Sequence, residues 1–238
     1  MSFVRRLSIG ALTATAVAAG MLFVGPAPAE AGVTLHLRKA ISILPVAGET
    51  RAGYDRDKFG RWTDSDGDCQ DTRSEVLRQE TRTPVTGSCT VVTGKWVSPY
   101  DGAIWTSASD VDIDHLVPLA EAWDSGAKKW NRATRRAFAN DLGDPRTLVA
   151  VTDNVNSAKG DRDPAHWMPT QKQCTYIAQW VAVKSRWQLS VDRAEKNALT
   201  RIAAGCSNST IKFTRAKVVE RTAAPSGSVP APEPSSGC

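Results

Sequence analysis

The sequence predicts an α+β fold in a single domain, and two patterns carry that expectation. Residues 85–113 are rich in Val, Trp and Ile between turn residues, and residues 111–117 alternate apolar with polar, the period of a strand. Beyond them, apolar positions recur at helical spacing through residues 119–138, 170–187 and 191–204.

The first residues are expected to be an export signal. Arg5 and Arg6 precede an apolar run over residues 7–24, and Ala29-Glu30-Ala31 supplies the small residues of a cleavage site before Gly32. The run could span a bilayer, but its Ala, Gly and Thr content and that triplet favour removal over anchoring. Residues 1–31 therefore read as a signal peptide. Residues 32–218 read as the domain, about the size of one well-buried unit. The Pro- and Ser-rich residues 219–238 read as a disordered tail. Losing Arg5, Arg6 and Glu30 takes the formal charge from +5 to +4, compatible with a polyanionic partner.

Five cysteines follow the signal segment. No C-x-x-C pair exists, which argues against a structural zinc site, and export favours disulfides. Pairing by neighbourhood gives Cys69 with Cys89 and Cys174 with Cys206, leaving Cys238 over. Each closed loop would contribute roughly 3 kcal/mol in the chain-entropy model.

In chain order, residues 32–43 read as a strand or a short helix. Residues 54–59 are polar with aromatic anchors. Residues 63–68 superficially resemble a calcium loop, but Cys69 stands where that loop needs glycine, so a solvated turn is expected. Thr72-Arg73-Ser74-Glu75 has the capping-box pattern and predicts a helix to about Gln79. Thr93-Gly94 and Asp101-Gly102 read as turns between short strands. A strand should end near His115, before Pro118. Residues 147–151 read as a buried strand, and Thr152 or Asp153 should cap a helix that Gly160 ends. Helices over about 170–187 and 191–204, the second capped by Ser190, should form an antiparallel hairpin that places Cys174 beside Cys206.

The informative constellation is strand, insertion, strand, helix. Asp114-His115 closes the first strand, and Asn156 lies on the helix after the second. Hydrolysing a phosphodiester needs a deprotonated water, neutralised phosphate charge and help for the departing oxygen. A histidine can supply the first, and a divalent cation on oxygen ligands the others. Asp114 and Asn156 offer such oxygens, with Asn154 or Asp153 as alternatives to Asn156.

The run Asp112-Ile113-Asp114-His115-Leu116-Val117-Pro118-Leu119, with Asn156-Ser157-Ala158-Lys159-Gly160-Asp161-Arg162-Asp163-Pro164, resembles the secreted HNH endonucleases of the GmrSD-like C-terminal type. The resemblance covers residues 54–180. It implies a ββα-metal element holding one divalent cation, Mg²⁺ by default, with Mn²⁺ or another transition metal as alternatives. Asp114 and Asn156 would be its ligands and His115 the general base, leaving 5′-phosphate and 3′-hydroxyl ends. Glu121 would orient the site, and Lys159 and Arg162 would meet phosphate. Thr147 stands where many relatives carry an Asn, and the two C-x-x-C pairs of many relatives are missing. The implied activity is endonuclease cleavage of DNA, or RNA, with low sequence preference, by a secreted monomer. The rival readings are an extracellular binding module for nucleic acid or cell wall and a phosphodiesterase for small or lipid-derived esters.

Overall fold

The computed structural model describes residues 32–221, and the signal segment and residues 222–238, with Cys238, lie outside them. Among the described residues the chain forms seven α-helices and three two-stranded antiparallel sheets, an α+β arrangement. No helix among them is long and apolar enough to cross a membrane.

The start of the domain is both strand and helix. Strand β1, Val33–His36, turns directly into α1, Leu37–Ile43, and pairs with β6, Thr210–Phe213, near the far end of the chain. Strand β6 is not among the expected elements, although Thr210-Ile211-Lys212-Phe213 alternates polar with apolar, as its burial does. Past Val218 the chain stays attached: Asn131 donates to Val219 O and Arg221 to Lys129 O, so order runs beyond the expected boundary.

Helix α2, Thr72–Glu80, starts where expected, but its cap is Asp71, whose carboxylate accepts the Ser74 N–H at 2.9 Å. Thr72 instead donates to Asn140 Oδ1 at 2.7 Å, tying the helix to the rest of the domain. Strands β2, Thr93–Val97, and β3, Ile104–Ser107, form a hairpin. Asp101-Gly102 is its turn, with Gly102 at φ +78, where a side chain would be strained. Thr93-Gly94 is not a turn but opens β2.

The central pair is β4, Val111–His115, against β5, Leu148–Thr152, with His115 opposite Leu148. Between them lie α3, Leu119–Asp124, and α4, Arg132–Ala139. Helix α5, Asp153–Lys159, leaves β5 without a loop and ends at Gly160, φ +57. Helices α6, Gln173–Arg186, and α7, Arg193–Ala204, follow. Asp192 caps α7, accepting the Glu195 N–H at 2.7 Å, so the cap lies two residues beyond Ser190.

Both expected disulfides are present. Cys69 and Cys89 have Cα atoms 5.0 Å apart, and Cys174 and Cys206 clasp α6 to the end of α7 at 5.6 Å. Two apolar cores flank the central sheet. Val111, Ile113, Leu148 and Ala150 pack with Val76, Leu77 and Trp96, while Leu116, Val117, Val149 and Val151 join the larger core around Trp180 and Phe138. The end of β4 sits at the seam.

Candidate active site

Side chains alternate across a strand, so Asp112 and Asp114 point to one face of β4 and His115 to the other. Their partners follow that division. The His115 ring is 6 % exposed, stacks on Trp62 with centroids 5.1 Å apart and planes 9° from parallel, and packs 6.2 Å from Phe138. Its Nε2 lies 2.9 Å from Ala139 O at the end of α4. A carbonyl oxygen only accepts, so Nε2 carries the proton and Nδ1 keeps its lone pair.

That ring lines a cavity of about 470 Å³ shared with Arg56, Arg61, Trp62 and Asp71. Burial pushes the imidazole down to about 3, and the Arg56 and Lys159 charges push the same way against the Ala139 hydrogen bond. His115 is therefore neutral and held in one orientation with the Nδ1 lone pair free, while the same burial weakens it as a base. Arg56, Arg61 and Trp62 lie far before the motif in the chain, and no local pattern marks them.

The other face is closed. Lys159 is fully buried, and its Nζ is 2.8 Å from both oxygens of Asp114 and 3.1 Å from His115 O. Tyr100, also buried, donates its hydroxyl to Asp114 Oδ2. Burial raises the Asp114 carboxyl, while Lys159 and Tyr100 pull it down. Burial lowers the Lys159 ammonium against the pull of Asp114. Asn156, half-buried one helical turn before Lys159, donates Nδ2 to Asp112 Oδ2 at 3.0 Å.

Two expectations need correction. Lys159 does not reach out to phosphate. It shares the face of α5 that carries Asn156, because residues three apart on a helix lie on one side, and that side covers β4. Glu121 does not orient His115 or Asp114. It accepts from Ser125 at 2.7 Å and from Lys184 at 2.6 Å, in a buried network with Glu195 and Glu49. Arg162 is exposed just past α5, lines neither the His115 cavity nor the cleft beside it, and makes no ion pair among the described residues.

Asp112, Asp114 and Asn156 place carboxylate and amide oxygens on one side of the sheet, the donor chemistry of a hard divalent cation. The Lys159 ammonium already stands on Asp114 as a cation, bonded to both of its oxygens. Asp64, Asp66 and Asp68 also gather, but they are exposed and Asp64 accepts the Gly67 and Cys69 N–H groups, the pattern of a turn.

Residues 68–202 match the family model of the GmrSD restriction endonucleases, C-terminal domain, a span that contains β4, β5 and α5. The chain is also 54 % identical over 157 residues to an uncharacterized secreted protein of Arthroderma benhamiae, covering 65 % of this chain and 76 % of that one. No solved structure matches it.

Proposed function

Because the chain belongs to the family of the GmrSD restriction endonuclease C-terminal domain, we propose that it is a secreted endonuclease of the HNH type, cleaving DNA with low sequence preference and RNA as the alternative substrate. The observation that carries this reading is His115: neutral, held through Nε2 by Ala139 O, and lining a cavity beside Arg56 and Arg61. Nδ1 takes the proton of the attacking water. Arg56 and Arg61 draw the scissile phosphate towards the ring and offset its charge. Trp62 limits rotation of the imidazole and shields it from bulk water.

The strands β4 and β5 with α5 serve as the ββα-metal element. One divalent cation, Mg²⁺ by default, would be held by Asp114 and Asn156 on the face of β4 opposite the His115 ring, and its charge would favour the phosphoryl chemistry. Lys159 holds the Asp114 carboxylate in place. Arg162, exposed beyond α5, meets an outlying phosphate. Two disulfides and the secreted relative support export.

The test is nicking of supercoiled plasmid by the oxidised mature protein in EDTA and with Mg²⁺ or Mn²⁺. Metal-dependent nicks that DNA ligase reseals, hence 5′-phosphate and 3′-hydroxyl ends, are expected. Nicking at full rate in EDTA would contradict the metal-dependent reading.

A further inference from the structure

The His115 cavity shares Asp57, Gly60 and Arg61 with a larger cleft of about 1470 Å³. One wall is the exposed side of α4, where Arg132 and Arg136 lie one turn apart with the small Ala133 and Ala137 beside them. The opposite wall is the segment after β6, where Arg215 and Lys217 stand out on either side of the buried Ala216. That wall is fixed to α6: Arg186 donates to Thr214 O at 2.7 Å and accepts the Ala216 N–H at 2.9 Å.

The charges in the cleft do not cancel. Arg186 is committed to Asp141 through two contacts of 2.8 Å, which accounts for both partners. Asp64 is turned onto the backbone of its own loop. Arg61, Arg132, Arg136, Arg215 and Lys217 form no ion pair among the described residues, against Asp57 and Asp64 as the remaining carboxylates. Like charges four apart on a helix cost a few tenths of a kcal/mol, a cost that a polyanion would reverse. Leu142 is the exposed large apolar side chain that lines the cleft, so a lipid surface would find little to anchor it.

We infer that this cleft is the seat of a duplex DNA backbone, with Arg132 and Arg136 on one side, Arg215 and Lys217 on the other, and Arg61 handing the strand to His115. The inference rests on the nuclease reading and assigns its substrate path. Phosphate contacts of this kind position a duplex without reading its sequence.

The test is binding of a short fluorescein-labelled duplex by anisotropy in EDTA, where no cleavage is needed, between about 50 and about 200 mM salt. The triple variant Arg132→Ala, Arg136→Ala, Arg215→Ala is compared with Lys39→Ala, Arg193→Ala, Arg201→Ala, which removes equal charge from exposed positions of α1 and α7. The cleft triple is expected to bind at least about tenfold more weakly and to lower the salt slope by up to about 2.7, at 0.9 per lost contact. The control should stay within about twofold of the parent. Equal losses in both triples, no loss in the cleft triple, or a parent protein that holds no duplex would each overturn the inference. So would an unlabelled single strand that competes better than duplex. Plasmid nicking by the same preparations keeps the two readings apart. A nicking protein whose cleft triple binds fully loses only the cleft, and a cleft-dependent binder that never nicks loses only the nuclease assignment.

Discussion

Lys159 and Lys184 are both fully buried, yet they sit in opposite electrostatic settings. Lys184 lies between Glu121 at 2.6 Å and Glu195 at 2.9 Å, with Ser125 Oγ at 2.8 Å and Ser190 O at 2.9 Å completing its shell. Burial pulls its ammonium down, but Glu195 and Glu121 outweigh that and raise it. Lys159 has one carboxylate, which Tyr100 shares, and there burial wins and the ammonium is lowered. Lys184 is thus a permanent charge joining α3, α6 and α7. Lys159 is a buried cation paired with a single carboxylate. The same residue type joins three helices in one place and ties α5 to β4 at the candidate site in the other.

Removing each charge is the strongest way to break this comparison. Lys184→Met strands two buried acids and is expected to cost about 3–5 kcal/mol in urea unfolding. Lys159→Met should cost less, about 2–3 kcal/mol, because Asp114 keeps the Tyr100 hydroxyl and can shed its charge by taking up a proton. Equal losses would mean that the two lysines are structurally equivalent.

Metal sharpens the contrast. With the ammonium gone, Mg²⁺ or Mn²⁺ should stabilise Lys159→Met by about 2.7 kcal/mol at a hundredfold excess over its dissociation constant, and by more than it stabilises the parent. EDTA should remove that gain. A larger thermal shift in the parent would show that the ion binds elsewhere.

The smallest effect is a pH dependence on the Lys184 side. Burial, with Glu121 next, raises Glu49 from 4.5 to about 8. An acid raised on folding contributes stability that is full below its unfolded value and lost as pH rises through its folded one. Melting temperature should therefore fall between pH 4.5 and about 8. Glu49→Gln should make that fall shallower, by on the order of 2 °C. An unchanged profile would remove Glu49 from the network.

Much of this arrangement was legible locally. The alternation over 111–115 and the apolar run at 148–151 gave both central strands, Gly160 marked the end of α5, and neighbourhood gave both disulfides. The inward turn of Lys159 was also available in principle, since Asn156 and Lys159 must share a helix face. So was the split of Asp114 and His115 across β4, from the period of two. Side chains brought by the tertiary fold were not legible: Trp62 and Arg61 come from a loop that Thr72 and Asn140 tie to α4, and Tyr100 from the β2–β3 turn. The caps Asp71 and Asp192 were missed because several polar residues stand together and any one could cap.

The most direct measurement is metal-dependent nicking by His115→Ala beside the parent, with circular dichroism and a melting curve confirming that the variant is folded. Loss of the base should lower the rate by about 10²–10⁴-fold. A folded His115→Ala protein that nicks at the parent rate would contradict the role given to His115 and move the chemistry to another part of the molecule.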